Sequence, residues 1–324
     1  RPFKDFGFLA PKHVRMIEAV SPRIKLWDVS ELIQAEQKGD PTAKQELDTI
    51  VGNAEIFFGF PPPRDLIARA PNLKWIQDIL AGVEVFLSPA IVASPVVLTN
   101  ARGIHPQVVE SALMMALMLA KKMPLFTNNK NQKIWKKETP GLLSFRTAGI
   151  LGLGHIGSDI AKTAKAFGMK VIGLEIRAIK KPAGVDVMLP PEKLNELLAQ
   201  SDFIFIALPL TSQTRGLIGE REFKLMKPSA FLINISRGAI VDESALVQAV
   251  KSQRIAGAGL DVFTIEPLPV TSPLWNLENV ILTPHVAGLA DNYDEMVTRL
   301  FCSNLKRYLK GRELLKMVDK VKGY

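Results

Sequence analysis

The chain has 324 residues, is 47% hydrophobic, and carries 41 Lys and Arg against 32 Asp and Glu, a formal net charge of +9. That length and composition supply two globular domains with substantial cores and exclude a disordered or fibrous chain. One cysteine, Cys302, excludes an internal disulfide, and four histidines without cysteine partners or close spacing give no metal cluster, so a reducing, cytoplasmic compartment fits.

The chain opens Arg-Pro-Phe, with neither an initiator Met nor a basic-then-apolar leader, so the expectation is a trimmed start and an incomplete first strand. His13 is expected on a surface helix. Short apolar runs at Ile24 to Val29, Ala54 to Gly59, Leu73 to Ile79 and Val96 to Leu98 read as strands between helix-like stretches, which makes the first part α/β. Pro61-Pro62-Pro63 reads as a loop. Val108 to Met123 is rich in Leu, Met and Ala, but Glu110, Lys121 and Lys122 leave an apolar core too short to span a membrane, so a buried helix is predicted over Pro106 to Met123.

From Thr147 a second alternating series begins. Strands are predicted at Thr147 to Leu151, Lys170 to Leu174, Val185 to Val187, Phe203 to Ala207, Ala230 to Ile235, Gly257 to Leu260 and Val280 to Leu282, the pattern of a doubly wound parallel sheet. Asp291 to Leu309 is helical again. The simplest arrangement returns it to the first domain, giving residues 1–103 with 290–324 as one discontinuous domain and 104–289 as an insertion. The helices at Pro106 and Asp291 would then cross between the two as a hinge over a cleft. His105, at the entrance to the first of these helices, is placed to line that cleft.

The most informative stretch is Gly-Leu-Gly-His-Ile-Gly at residues 152–157, between the strand ending at Leu151 and a helix-like run with Ile160, Ala161, Ala164 and Phe167. Gly152 permits a tight turn, Gly154 lets backbone amides approach a pyrophosphate, and Gly157 lets the helix pack close to the strand, with phosphates at the helix N-terminus. Glu175 follows Gly157 by eighteen residues, where a carboxylate accepts from ribose hydroxyls and repels a 2'-phosphate. The expected cofactor is therefore NAD, with NADP kept open by Arg177, Lys180 and Lys181, whose charges suit a 2'-phosphate.

Downstream, three polar residues end apolar strands: Arg237 in Asn-Ile-Ser-Arg-Gly, Glu266 in Asp-Val-Phe-Thr-Ile-Glu-Pro, and His285 in Leu-Thr-Pro-His-Val-Ala-Gly. Loops after the carboxyl ends of parallel strands form the ligand crevice, so all three can converge despite separations of 29 and 19 residues. Taken singly, Arg237 reads as a surface charge, Glu266 as a turn residue and His285 as a structural histidine; together they read as a catalytic set.

With these motifs in order, the chain resembles the D-isomer-specific 2-hydroxyacid dehydrogenases, which include glyoxylate, hydroxypyruvate and D-lactate reductases. The resemblance runs over essentially the whole chain. It rests on Gly-Leu-Gly-His-Ile-Gly, Ala-Leu-Pro-Leu-Thr-Ser-Gln-Thr-Arg, Ile-Asn-Ile-Ser-Arg-Gly-Ala-Ile-Val-Asp, Gly-Leu-Asp-Val-Phe-Thr-Ile-Glu-Pro-Leu-Pro and Thr-Pro-His-Val-Ala-Gly. It implies that Arg237 binds the substrate carboxylate and carbonyl, that His285 donates or accepts the proton, and that Glu266 holds the imidazole. Those roles suit a forked guanidinium, an imidazole whose charge changes near neutral pH, and a carboxylate that favours the imidazolium.

The resemblance further implies that backbone amides of a loop at Leu80, Ala81, Gly82 and Val83 hold the substrate carboxylate, with Leu80 shaping the side-chain pocket. On the cofactor side it implies contacts from Gly152, Gly154, His155, Ile156, Gly157 and Glu175, from Leu208, Pro209 and Thr214 over the adenosine half and phosphates, and from Ile235, Ser236, Arg237, Asp261, His285 and Gly288 around the nicotinamide. The expected architecture is α/β with two doubly wound parallel-sheet domains: a flavodoxin-like substrate domain and an inserted Rossmann dinucleotide-binding domain.

The expected activity is hydride transfer between NAD(H) and a small 2-oxoacid or D-2-hydroxyacid, without a metal, in a homodimer that binds neither nucleic acid nor membrane. The dimer is expected from the uniformly apolar helix Val108 to Leu119. Two alternatives stand beside this reading: phosphite oxidation within the same family, and a non-catalytic NAD-sensing scaffold. Formate oxidation is disfavoured because it resembles a site with glutamine where Glu266 stands.

Overall fold

In the computed structural model, which describes residues 9–104, 106–177 and 179–323, the chain divides into two compact units. One runs to Ile104 and resumes at Ala290; the other holds the stretch between, to Leu289. The fold is mixed α/β with parallel sheets in both units.

The first unit contains a three-stranded parallel sheet of β1 (Ile56–Phe58), β2 (Trp75–Gln77) and β3 (Val97–Thr99), in that order. All of β2 is buried, as the middle strand of a sheet covered on both faces must be. The helix Tyr293–Tyr308 packs against the helix Pro11–Glu18, and its Phe301 stacks on Phe58 and Trp75 with ring centroids 4.1 and 5.2 Å apart. In the sheet, Trp75 donates to Thr99 Oγ1, and Gln77 Oε1 accepts from Thr99 and Asn304.

Two expectations fail in this unit. Ile24 to Val29 forms no strand: Ile24 packs against the Trp75 and Phe301 cluster, but Leu26 and Trp27 are exposed and no neighbouring strand among the described residues supplies a ladder. His13 is not on the surface; it is buried with Ile17 on the inward face of the Pro11–Glu18 helix, whose other residues are exposed or half-buried. His105, expected to line the cleft, lies outside the described residues.

The second unit is built on seven parallel strands: β4 (Thr147–Leu151), β5 (Lys170–Leu174), β6 (Val187–Leu189), β7 (Phe203–Ile206), β8 (Phe231–Asn234), β9 (Gly257–Leu260) and β10 (Val280–Leu282). The order β10-β9-β8-β7-β4-β5-β6 reverses direction between β4 and β7. Crevices for ligands open at such a switch point, beyond the carboxyl ends of the strands.

β6 starts two residues later than predicted. Val185 is buried in the core; Asp186 N donates to Val171 O at 2.9 Å and its carboxylate accepts from Val171 N at 2.8 Å, and the register with β5 starts at Val187. The helix Pro106–Ala120 lies against β8, β9 and the helix His155–Ala166. It stops short of Met123 because Lys122 turns left-handed and Pro124 opens a new helix, Met123–Asn131. No helix among the described residues is long and apolar enough to cross a membrane.

Candidate active site

The glycine-rich turn sits where β4 meets the helix His155–Ala166. Gly152 has φ +93°, and a Cβ at Gly157 would lie 1.8 Å from Gly152 O, so turn and helix close on each other only with glycine at both places. A Cβ at Gly154 would meet nothing nearer than Arg177 Nη2 at 3.9 Å, leaving the backbone there open to a ligand. His155, which is exposed, Ile156 and Gly157 form the first helical turn, whose amides have no intrahelical acceptors. A dinucleotide pyrophosphate fits this cradle.

Glu175 directly follows β5 and is buried, and its carboxylate is already engaged. It accepts from Leu153 N at 3.1 Å, from Arg177 N at 3.0 Å, and from Arg177 Nε and Nη2 at 2.9 and 2.8 Å. Burial pushes this carboxyl up, but the hydrogen bonds and charge of Arg177 outweigh that and hold it below the usual glutamate value of 4.5. Lys181 donates to Asp186 O, and Lys180 is exposed. The loop after β7 is closed by Thr214, whose hydroxyl donates to Pro209 O and accepts from Thr211 N.

Arg237, Glu266 and His285 are brought together by three strand-end loops. After β8, buried Asn234 shapes the turn: its Oδ1 accepts from Ser236 N and its Nδ2 donates to Arg237 O at 3.0 Å. Ser236 Oγ in turn donates to Leu208 O, tying this loop to the one after β7. Arg237 is half-buried, and its Nη1 donates to Ser236 O.

The next residue makes the junction with the loop after β9. A Cβ at Gly238 would lie 2.0 Å from the carbonyl carbon of Phe263, so the two backbones touch because this residue has no side chain. Phe263 N donates to Glu266 Oε1 at 2.9 Å, and Glu266 Oε2 lies 2.6 Å from His285 Nδ1. A carboxylate can only accept, so with Glu266 ionised the shared proton belongs to Nδ1, and Nε2 is the ring nitrogen outside this contact.

The loop after β10 owes its shape to Asp261, which is fully buried. Its Oδ1 accepts from Thr283 Oγ1 and Val286 N, its Oδ2 from Ala287 N, and its backbone carbonyl from His285 N at 2.8 Å. His285 is held at φ +54°, a left-handed conformation that costs a non-glycine residue on the order of 1 kcal/mol and persists only where its surroundings impose it. Of the other residues expected near the nicotinamide, Ile235 is buried and Gly288 O accepts from Gln107 Nε2.

In the first unit, Leu80, Ala81 and Gly82 are half-buried and Val83 is buried, on a loop that follows β2. Sequence reasoning missed the residues that shape these loops: Asn234, Thr283, Asp78 and Asn100. Their common signal is a polar side chain at the end of an apolar strand, where an unpaired polar group would be costly to bury.

The NAD-binding-domain model of the D-isomer specific 2-hydroxyacid dehydrogenases matches residues 113–287. The chain belongs to the D-isomer specific 2-hydroxyacid dehydrogenase family. It is 36% identical over 267 residues to a glyoxylate reductase of Thermococcus litoralis, covering 79% of this chain and 80% of that enzyme. A solved D-isomer specific 2-hydroxyacid dehydrogenase of Xanthobacter autotrophicus, in complex with NADPH and MES, matches with a TM-score of 0.81 and 28% identity over 100% of this chain and 98% of that one. An NADPH-dependent glyoxylate/hydroxypyruvate reductase of Sinorhizobium meliloti, in complex with NADP and sulfate, matches at 0.78 and 29% identity over 91% and 96%.

Proposed function

We propose that this dehydrogenase reduces small 2-oxoacids, glyoxylate or hydroxypyruvate, to D-2-hydroxyacids with a nicotinamide dinucleotide. The observation that carries the reading is the continuous contact from Arg237 through Gly238, Phe263 and Glu266 to His285, at the carboxyl ends of β8, β9 and β10. Arg237 forks to the substrate's carboxylate and carbonyl, and draws charge toward the carbonyl oxygen as it becomes an alkoxide. His285 gives that oxygen a proton from Nε2, while Glu266 stabilises the imidazolium and fixes the ring. Amides of the loop at Ala81, Gly82 and Val83 hold the carboxylate. The dinucleotide, when bound, supplies the hydride.

NAD is the proposed cofactor, on the strength of the Glu175 carboxylate at the end of β5. The guanidinium of Arg177 on that carboxylate also supports a reading in which NADP is accepted, its 2'-phosphate replacing Glu175 as the partner of Arg177. Unit 2 is proposed as the nucleotide-binding domain, the other as the substrate domain, and the assembly as a homodimer.

The test is initial oxidation of NADH and of NADPH with glyoxylate, hydroxypyruvate, pyruvate, phenylpyruvate and branched 2-oxoacids, for the wild type and for His285→Ala. The wild type should turn over the small members of the panel, and the variant should lose on the order of 10²–10⁴-fold in kcat with its nucleotide affinity unchanged. Full turnover by His285→Ala would remove the imidazole from proton transfer. Silence of the wild type across the panel, with intact nucleotide binding, would move the reading to phosphite oxidation or to a non-catalytic nucleotide sensor.

A further inference from the structure

The loop after β2 has a feature that its sequence does not announce: four consecutive backbone carbonyls are all taken by donors of the same unit. Asp78 O accepts from Gln77 Nε2 at 2.9 Å, Ile79 O from the Tyr293 hydroxyl, Leu80 O from Ala101 N at 2.9 Å, and Ala81 O from Asn100 Nδ2 at 2.6 Å. The Leu80 amide is also consumed, donating to Asp78 Oδ1 at 2.9 Å. The side chains that do this are withdrawn from water: Asp78 is 0%, Asn100 2% and Tyr293 5% exposed. The amides of Ala81, Gly82 and Val83, by contrast, donate to no acceptor among the described residues.

Peptide planarity turns this bonding pattern into an orientation. In a trans peptide the C=O of one residue and the N–H of the next point in opposite directions. Anchoring Leu80 O on Ala101 therefore directs the Ala81 N–H away from the anchor, and anchoring Ala81 O on Asn100 does the same for the Gly82 N–H. Tyr293 holds the preceding peptide from its carbonyl side while Asp78 takes that peptide's N–H, so the Leu80 amide is removed and the next two remain as adjacent unpaired donors. Successive backbone amides of this kind form a concavity for an anion.

We propose that Asp78, Asn100 and Tyr293 are positioning residues: they act through the backbone of residues 79–82 and pre-form the pair of amides that takes the substrate carboxylate. The proposal rests on the reading of this loop given above and names what makes it rigid. Donors already fixed in the free protein need no reorganisation when substrate arrives, so loosening them weakens carboxylate binding before it affects the chemical step. The helix that supplies Tyr293 belongs to the segment returning to this unit after Leu289, which gives that segment a part in substrate binding.

The experiment uses Tyr293→Phe, which removes one hydroxyl and keeps the ring, and Asn100→Ala as a second, independent cut. Each is examined by steady-state kinetics with glyoxylate, by inhibition with oxalate as a carboxylate probe, by NADH titration, by thermal unfolding, and by hydrogen exchange of the Leu80 and Ala101 amides. The expected result is a KM for glyoxylate and an inhibition constant for oxalate raised about five- to tenfold, the worth of one hydrogen bond, with kcat changed less and NADH affinity within about twofold. Exchange at Leu80 and Ala101 should quicken in the free protein.

Unchanged KM and oxalate inhibition in both variants would overturn the proposal, and so would a fall in Tm alone, which marks a merely structural role. If the wild type binds neither glyoxylate nor oxalate, the carboxylate reading fails and its functional consequence with it. The exchange rates then still decide whether Tyr293 and Asn100 hold the loop.

Discussion

At the scale of single residues, the proposed choice of nucleotide turns on the pairing of Glu175 with Arg177. A carboxylate at the end of β5 points to ribose hydroxyls, but here it faces a guanidinium through two hydrogen bonds and closes an ion pair at 2.8 Å. On the proposed reading, the carboxylate that would repel a 2'-phosphate and the guanidinium that would attract one are paired with each other. Arg177→Ala should lower NADPH affinity on the order of tenfold, as expected for losing a hydrogen bond to a charged group, and leave NADH affinity equal or better. Fluorescence titration with both nucleotides checks this, and equal losses for the two would assign Arg177 a purely structural part. The sequence made both side chains legible as candidates and left their contact hidden, because their spacing does not say which way a side chain turns after a strand.

At the scale of elements, the site is a property of loop ends brought into contact, and Gly238 is where that contact is tightest. Gly238→Ala would drive a methyl group into the Phe263 backbone, so the loops carrying Arg237 and Glu266 must part. The expected outcome is a loss of at least about tenfold in kcat/KM with nucleotide affinity retained, since misplacement by about 1 Å is costly to catalysis; activity equal to wild type would show that the two loops act independently. Another junction answers to pH. Asp186 is held below the ordinary aspartate value of 3.8, first by its hydrogen bonds to Lys165 and then by the Val171 amide. A depressed carboxylate stabilises the fold above its unfolded pKa and loses that contribution as pH falls through the folded value. Asp186→Asn should therefore cost stability at neutral pH, on the order of 1 kcal/mol once solvent screening is allowed for, and the deficit should shrink below about pH 3.8; urea unfolding at pH 7 and pH 3 measures it. Strands with strong apolar runs were legible to the residue, as at Thr147–Leu151, Lys170–Leu174 and Gly257–Leu260. At Val185 the apolar side chain marks burial, while the register with β5 begins only at Val187.

At the scale of the whole molecule, the second unit leaves several large apolar side chains exposed. The helix Pro106–Ala120 buries Val108, Ala112, Leu113, Met115, Ala116 and Leu119 within the unit, so most of its apolar character is used up internally. What remains is a groove of about 780 Å³ between this helix and His155–Ala166, lined by Val109, Met114, Leu117, Met118 and Ala166 among others, with Met114 41% exposed. The same unit leaves Trp135 and Phe145 at 95% and 93% exposure. The proposed homodimer would cover this groove, which Glu110, Asp159, Lys162 and Thr163 also line. Sedimentation equilibrium should give twice the chain mass of 35.7 kDa, and Met114→Glu, which adds a carboxylate to a groove already holding Glu110 and Asp159, should shift the equilibrium toward monomer with nucleotide affinity intact. A wild-type mass of one chain at micromolar concentration would refute the dimer and leave the groove to another partner; a dimer indifferent to Met114→Glu would place the interface elsewhere on the unit.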